Sequence, residues 1–221
     1  MFGPLLFVLC INDLPDQVDS RSEAYLFADD TKIFRIITGE NDHNILQEDL
    51  QKMEDWSNNW LLKFHSEKCK YMNITRTTNE GNREYRLLDQ NITKVNEEKD
   101  IGVTIDSFLS FEQHICEKVI KANSVFVAIR RTFTYLNAET FLLPIYKTLA
   151  RTHLEYANAV WAPYKKKHID KIESVQKRAT KQIPGLRNLS YPERIKKLKL
   201  PTLAYRCIRG DMIEAYKILH I

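Results

Sequence analysis

The hydrophobic period of this chain changes once, near residue 107, and the change limits what each half can fold into. Upstream, apolar residues come in short runs. Ala24-Tyr25-Leu26-Phe27-Ala28 leads into Asp29-Asp30, and Thr31-Lys32-Ile33-Phe34-Arg35-Ile36-Ile37 then alternates polar and apolar residues. Two such runs around a two-residue acidic tip predict a β-hairpin. Residues 70–75, 85–88, 92–95 and 101–105 are further strand candidates, divided by polar turns such as 77–82. A short helix is expected after Gly3-Pro4. A longer one follows Gly39-Glu40-Asn41-Asp42, with Leu46, Leu50, Met53, Trp56 or Ser57, and Trp60 at helical spacing. Downstream only the helical period remains. Ile115, Val119, Ala122, Phe126, Ile129 and Phe133 form one stripe, and 141–156, 165–183 and 202–219 read as three more helices. Tyr205, Ile208, Met212, Ala215 and Leu219 share one face of the last. The expected fold class is α+β: a mixed part with an antiparallel sheet over 1–106, then an all-α part over 107–221.

Charge divides the same way. Residues 1–60 hold 4 Lys and Arg against 12 Asp and Glu, a net of −8, whereas residues 121–221 hold 20 against 7, a net of +13. The C-terminal half is therefore the half suited to a polyanion, and bound cations are one explanation of the acidic start. In the helix at 165–183, Lys167, Lys171, Ser174, Arg178 and Lys181 fall on one face, opposite Ile169, Ile172, Ala179 and Ile183. Such a stripe can track a phosphate backbone; a solvated basic face is the plainer alternative. Arg130-Arg131 adds two cations, and Trp161, Tyr164 and Tyr191 are stacking candidates.

The chain is 43% hydrophobic and 28% charged, enough apolar material for a packed core. Cys10, Cys69, Cys116 and Cys207 are scattered, with no His at zinc-finger spacing. Four reduced thiols in an intracellular protein are expected. The apolar run 5–11 has no preceding Lys or Arg and no small-residue cleavage site, and it is too short to span a bilayer. Neither a signal peptide nor a membrane partner is expected. His65, His114 and His153 read as packing or surface residues.

Asp29 and Asp30 are the sharpest chemical feature. Adjacent carboxylates raise each other's pKa, and a divalent cation such as Mg²⁺ (magnesium) removes the conflict. An exposed Asp-Asp turn explains the same spacing.

The wider order of motifs points to one side of that choice. Gly3-Pro4-Leu5-Leu6-Phe7, Ile11-Asn12-Asp13-Leu14-Pro15 and Phe27-Ala28-Asp29-Asp30-Thr31 together closely resemble the reverse transcriptase of non-LTR retrotransposons of the jockey type. Trp60-Leu61-Leu62-Lys63-Phe64 and Lys68-Cys69-Lys70 are similar to that family's palm motif with its lysine. Ile101-Gly102-Val103 with Leu109-Ser110-Phe111 resembles the segment leading into its primer grip. His153-Leu154-Glu155-Tyr156-Ala157, Val160-Trp161 and Val175-Gln176-Lys177-Arg178-Ala179 are similar to its C-terminal helical region.

The resemblance implies a partial polymerase palm over 1–106 and a helical, thumb-like region over 107–221. It implies RNA-directed DNA synthesis, with an RNA template, a DNA primer and deoxynucleoside triphosphates as partners, in the nucleus or cytoplasm. Asp29 and Asp30 would hold catalytic Mg²⁺, and Lys68 would approach the triphosphate. Arg130, Arg131, Lys167, Lys171, Arg178 and Lys181 would contact nucleic acid. The family's palm has an earlier strand with another metal-binding aspartate, which would lie before residue 1. The chain alone is therefore expected to be inactive as a polymerase. A non-catalytic nucleic-acid-binding remnant of a truncated element is the alternative. Asp100 also stands where the family usually has an aromatic residue.

Overall fold

In the computed structural model, which describes residues 2–76, 83–132, 143–183 and 185–220, the chain forms two units, Met1–Asn96 and Glu97–Ile221. The first opens with helix α1 (Gly3–Ile11). Pro4 sits in its first turn, where a missing N–H costs nothing. A 3-10 turn (Leu14–Gln17) leads to strands β1 (Ser22–Phe27) and β2 (Asp30–Arg35), an antiparallel hairpin in register from Ser22↔Arg35 to Phe27↔Asp30. Helix α2 (Glu40–Trp60) follows, as its periodicity predicts. The Asp42 carboxylate accepts bonds from the amides of Thr38 and Gly39 and from the Thr38 hydroxyl, which fixes the helix start. Ile11, Leu14, Met53 and Trp56 are buried together, with Phe7, Leu26, Ile33 and Phe64 packed against them. Trp60, expected on the same stripe, is exposed at the helix end.

The rest of this unit departs from the expected antiparallel sheet. The strands are short: β3 (Lys70–Tyr71), β4 (Arg86–Leu87), β5 (Gln90–Asn91) and β6 (Thr93–Lys94). β4 pairs with β5 antiparallel, but β3 pairs with β6 in parallel, and each pair stands as a separate two-stranded sheet. The cause is local. Leu88 and Asp89 both have positive φ (52° and 58°), the geometry of a tight two-residue hairpin loop, so the strand expected over 85–88 turns back before it can extend. The expected turn at 77–82 lies outside the described residues.

The second unit begins with β7 (Glu97–Asp100) and β8 (Val103–Asp106), an antiparallel hairpin. Ile101 and Gly102, expected at the head of a strand, form its loop, both with positive φ. Asp106 then accepts bonds from the amides of Phe108, Ser110 and Phe111 and from the Ser110 hydroxyl. Burial opposes ionisation there, but the amides prevail and hold the carboxyl below its ordinary range. Helix α3 (Glu112–Thr132) buries Ile115, Val119, Ala122, Phe126 and Ile129, the stripe read from the sequence; Phe133 lies outside the described residues.

The helix expected over 141–156 is irregular where described. α4 (Leu143–Ile145) widens into a π turn (Tyr146–Ala150) and tightens into a 3-10 turn (Arg151–Leu154) before α5 (Asn158–Trp161). The Thr148 and Thr152 hydroxyls donate back to carbonyls three and four residues earlier, which disturbs the helical ladder. α6 (Lys166–Lys181), α7 (Tyr191–Lys197) and α8 (Leu203–Leu219) complete the unit. Trp161, Ile172, Val175, Ala179 and Leu203 join the α3 stripe in its core. Buried Glu173 accepts bonds from the Leu203 and Ala204 amides and so caps α8. The apolar face of α8 through Tyr205, Ile208 and Met212 is exposed. Its packed side is polar: Arg206 pairs with Glu155, and the Asn158 amide donates to the Cys207 carbonyl and Asp211. Among the described residues no helix is long and apolar enough to cross a membrane.

Candidate functional site

The acidic tip is a two-residue loop, Ala28-Asp29, and Asp30 opens β2 opposite Phe27. Both aspartate side chains are exposed. Ala28 adopts φ 53°, a left-handed conformation that costs a residue with a Cβ roughly 1 kcal/mol. The hairpin is held by its inner face. Leu26 and Ile33 meet the α1–α2 core, while Tyr25 and Phe34 make an edge-on contact at 5.7 Å on the outer face.

The base of the hairpin is gripped by a buried polar network. The Arg35 side chain is only 1% exposed. Its guanidinium donates to Ser22 Oγ at 2.8 Å, Asp19 at 3.1 Å and Asp42 at 3.2 Å. Asp49, fully buried on α2, accepts from Ser22 Oγ at 2.6 Å and from the Asp19 amide at 2.8 Å. Burial disfavours the Arg35 charge, but Asp19 and Asp42 hold it firmly ionised. The Thr38 hydroxyl and amide, with Arg35 and Gly39, hold the Asp42 carboxyl far below the usual range. Sequence reasoning missed this network. Its signal was Arg35 on the inward register of β2, two residues after Ile33, followed by Asp42 and Asp49 two turns apart. The network lies at the opposite end from Asp29, roughly 17 Å along the strands at 3.3 Å per residue.

Lys68 ends a 3-10 turn (Ser66–Lys68) and is exposed. No hydrogen bond or ion pair joins it to Asp29 or Asp30. Among the described residues no group of three or more His, Cys, Asp or Glu side chains is arranged to hold a metal ion. The tip thus offers one adjacent carboxylate pair, a donor set that suits an oxygen-seeking divalent cation.

The basic stripe of α6 lies against α3. Lys167 Nζ pairs with Glu112 at 2.8 Å, Lys171 Nζ meets Cys116 Sγ at 2.7 Å, and Arg178 donates to Asn123 Oδ1 at 2.8 Å. Lys181, Arg130 and Arg131 are exposed, the last two in the final turn of α3. Of the four apolar residues expected opposite them, Ile172, Ala179 and Ile183 are buried and Ile169 is half-buried. Of the stacking candidates, Tyr164 is exposed. Trp161 is instead a core residue, its indole N–H donating to the Tyr156 carbonyl at 2.7 Å. Tyr191 is half-buried and its hydroxyl donates to Glu173; burial and that carboxylate push the hydroxyl's pKa up. His114 is a packing residue. It is fully buried beside Trp161, and its Nδ1 accepts from the Thr104 amide at 3.0 Å. Burial and the neighbouring Lys118 push its pKa down to about 4.

Two of the motif segments meet in space. The Tyr156 hydroxyl donates to the Ile101 carbonyl at 2.8 Å, and Lys118 Nζ donates to the Gly102 carbonyl at 2.9 Å. Gly102 has φ 80°, and a Cβ there would sit 3.3 Å from the Tyr156 ring.

Comparison with known proteins matches residues 1–135 to the family described as reverse transcriptase (RNA-dependent DNA polymerase). The chain is 25% identical over 201 residues to the RNA-directed DNA polymerase from mobile element jockey of Drosophila melanogaster, covering 84% of this chain and 21% of that protein. The jockey polymerase of Drosophila funebris is 25% identical over 202 residues with the same coverage. The chain thus spans about a fifth of the length of these relatives. No solved structure matches it.

Proposed function

Because this chain belongs to the reverse transcriptase family, we propose that it forms the Asp-Asp-bearing part of a retrotransposon's RNA-directed DNA polymerase. The observation that carries this reading is the hairpin tip, where Asp29 and Asp30 are exposed at the end of strands anchored from the other end. Residues 1–106 act as part of the palm and 107–221 as a thumb-like region. Asp29 and Asp30 hold the divalent cation, Mg²⁺ in this reading. When bound, the cation neutralises charge on the attacking 3′ oxygen and the departing pyrophosphate. Lys68 faces the triphosphate of the incoming nucleotide. The α6 cations with Arg130 and Arg131 hold the RNA template and DNA primer by their phosphates. Such work is done in the nucleus or cytoplasm, where RNA templates are found.

Primer extension on an RNA template with Mg²⁺ tests this reading. In a polymerase containing this segment, Asp29→Ala should lower the rate by about 10²-fold or more, the scale of losing one electrostatic contact to the transition state. Unchanged extension would overturn the assignment. The purified chain alone should give no extension, since a two-metal clamp draws carboxylates from more than one strand and this hairpin brings one pair.

A further inference from the structure

The three rungs between α3 and α6 are not alike. Glu112–Lys167 and Asn123–Arg178 are ordinary polar pairs. The middle rung sets the Lys171 ammonium against a sulfur, Cys116 Sγ, at 2.7 Å. Each rung joins residues 55 apart, so the two helices run parallel in one register and the outer rungs hold the middle pair in place. Lys171 is exposed and Cys116 half-buried, within reach of a small oxidant. The other cysteines are set differently. Cys10 lies in α1, which has no basic residue. Burial pushes up the Cys69 thiol, and burial with Asp211 pushes Cys207 up to about 11.

We propose that Cys116 and Lys171 form an oxidative modification site, at which peroxide converts the contact into a covalent sulfur–nitrogen cross-link between α3 and α6. The thiolate is the reactive form of cysteine. Its sulfur attacks hydrogen peroxide. An S–O bond forms, the O–O bond breaks, and the departing hydroxide leaves as water after taking a proton. Sulfur is oxidised to the sulfenic acid and peroxide is reduced. Sulfenic acids condense with nitrogen to sulfenamides. The Lys171 amine, having shed one proton, attacks the sulfur; the S–N bond forms, the S–O bond breaks, and the leaving hydroxide takes a second proton from nitrogen. One thiol, one amine and one peroxide give one sulfenamide and two waters. The flexible lysine stem closes the remaining distance without moving either helix. The product has one cation fewer on the α6 stripe, and thiol reductants return it to the starting pair.

The test is a peptide map of the full chain after hydrogen peroxide treatment. The expected product is a linked pair of peptides, one holding Cys116 and the other Lys171, lighter than their sum by two hydrogens and released by dithiothreitol. Linkage should accelerate as pH rises, because it consumes the thiolate and the free amine. In Lys171→Gln the link should vanish and Cys116 should stop at the sulfenic acid, trapped by dimedone. Circular dichroism of the variant checks its folding, and the wild-type map decides the matter if the variant misfolds. Oxidised Cys116 without a bond to Lys171, or a Cys116 no more oxidised than the other three, would overturn the proposal.

Discussion

The β1–β2 and β7–β8 hairpins both close with two-residue loops, yet one is gripped at its base and the other at its tip. In β7–β8 the loop itself is held. Tyr156 and Lys118 donate to the carbonyls of Ile101 and Gly102, and His114 takes the amide of Thr104. In β1–β2 the grip is at the far end, where Arg35 and Ser22 bind Asp19, Asp42 and Asp49. The loop Ala28-Asp29 is left exposed. A tip whose carbonyls are held by side chains of α3 and the Tyr156 turn serves as a structural corner. A tip held rigid from behind and left in solvent is free to meet a ligand, and this is the tip that carries the carboxylates.

The largest effect should come from breaking the base grip. Arg35→Leu leaves the Asp19 and Asp42 carboxylates without their cation and should cost about 3–5 kcal/mol, the scale of breaking a buried ion pair. Urea unfolding measures it, and a loss under about 1 kcal/mol would mean that apolar packing holds the hairpin.

Acid should separate the two hairpins next. His114 has a folded pKa of about 4, below its ordinary 6.5, so the unfolded chain takes up the proton first. Its contribution is complete above pH 6.5 and is lost as pH falls toward 4, by up to about 3 kcal/mol at 1.36 kcal/mol per unit. Asp42 is shifted down from 3.8, so its contribution is complete above that pH and is lost only in stronger acid. Amide exchange between pH 6.5 and 4 should therefore loosen Val103–Asp106 while Ser22 and Arg35 stay protected. The reverse order would contradict the comparison.

The smallest effects lie in the loops. Gly102→Ala forces a Cβ into a left-handed residue beside Tyr156 and should cost roughly 1–2 kcal/mol. Ala28→Gly should do the opposite, a gain of about 0.5 kcal/mol once the added freedom of the unfolded chain is subtracted. Melting temperatures of the two variants should move in opposite directions.

What the sequence made legible follows from period. The hairpin at 22–35, α2, α3 and α6 each repeat their pattern often enough to be read. The short strands over 70–94 do not, since two-residue pairings leave no period and positive φ at Leu88 and Asp89 carries no glycine to announce it. Threonine hydroxyls broke the helix expected after 141 in a way no apolar spacing records. At the candidate site, Asp29 and Asp30 were readable as an acidic pair between apolar runs. Arg35, Asp42 and Asp49 were not, because each is an ordinary surface residue type until the fold buries all three together. The α6 stripe was read as free cations; its contacts to Glu112, Cys116 and Asn123 depend on a helix some fifty residues away.

Paramagnetic line broadening by Mn²⁺ tests the central claim most directly, that the free tip is a cation-binding edge. Titrated into the isotopically labelled chain, Mn²⁺ should broaden the backbone amides of residues 27–31 first, and the Asp29→Asn/Asp30→Asn double variant should lose that selectivity. Broadening centred on another acidic surface, or unchanged in the double variant, would contradict it.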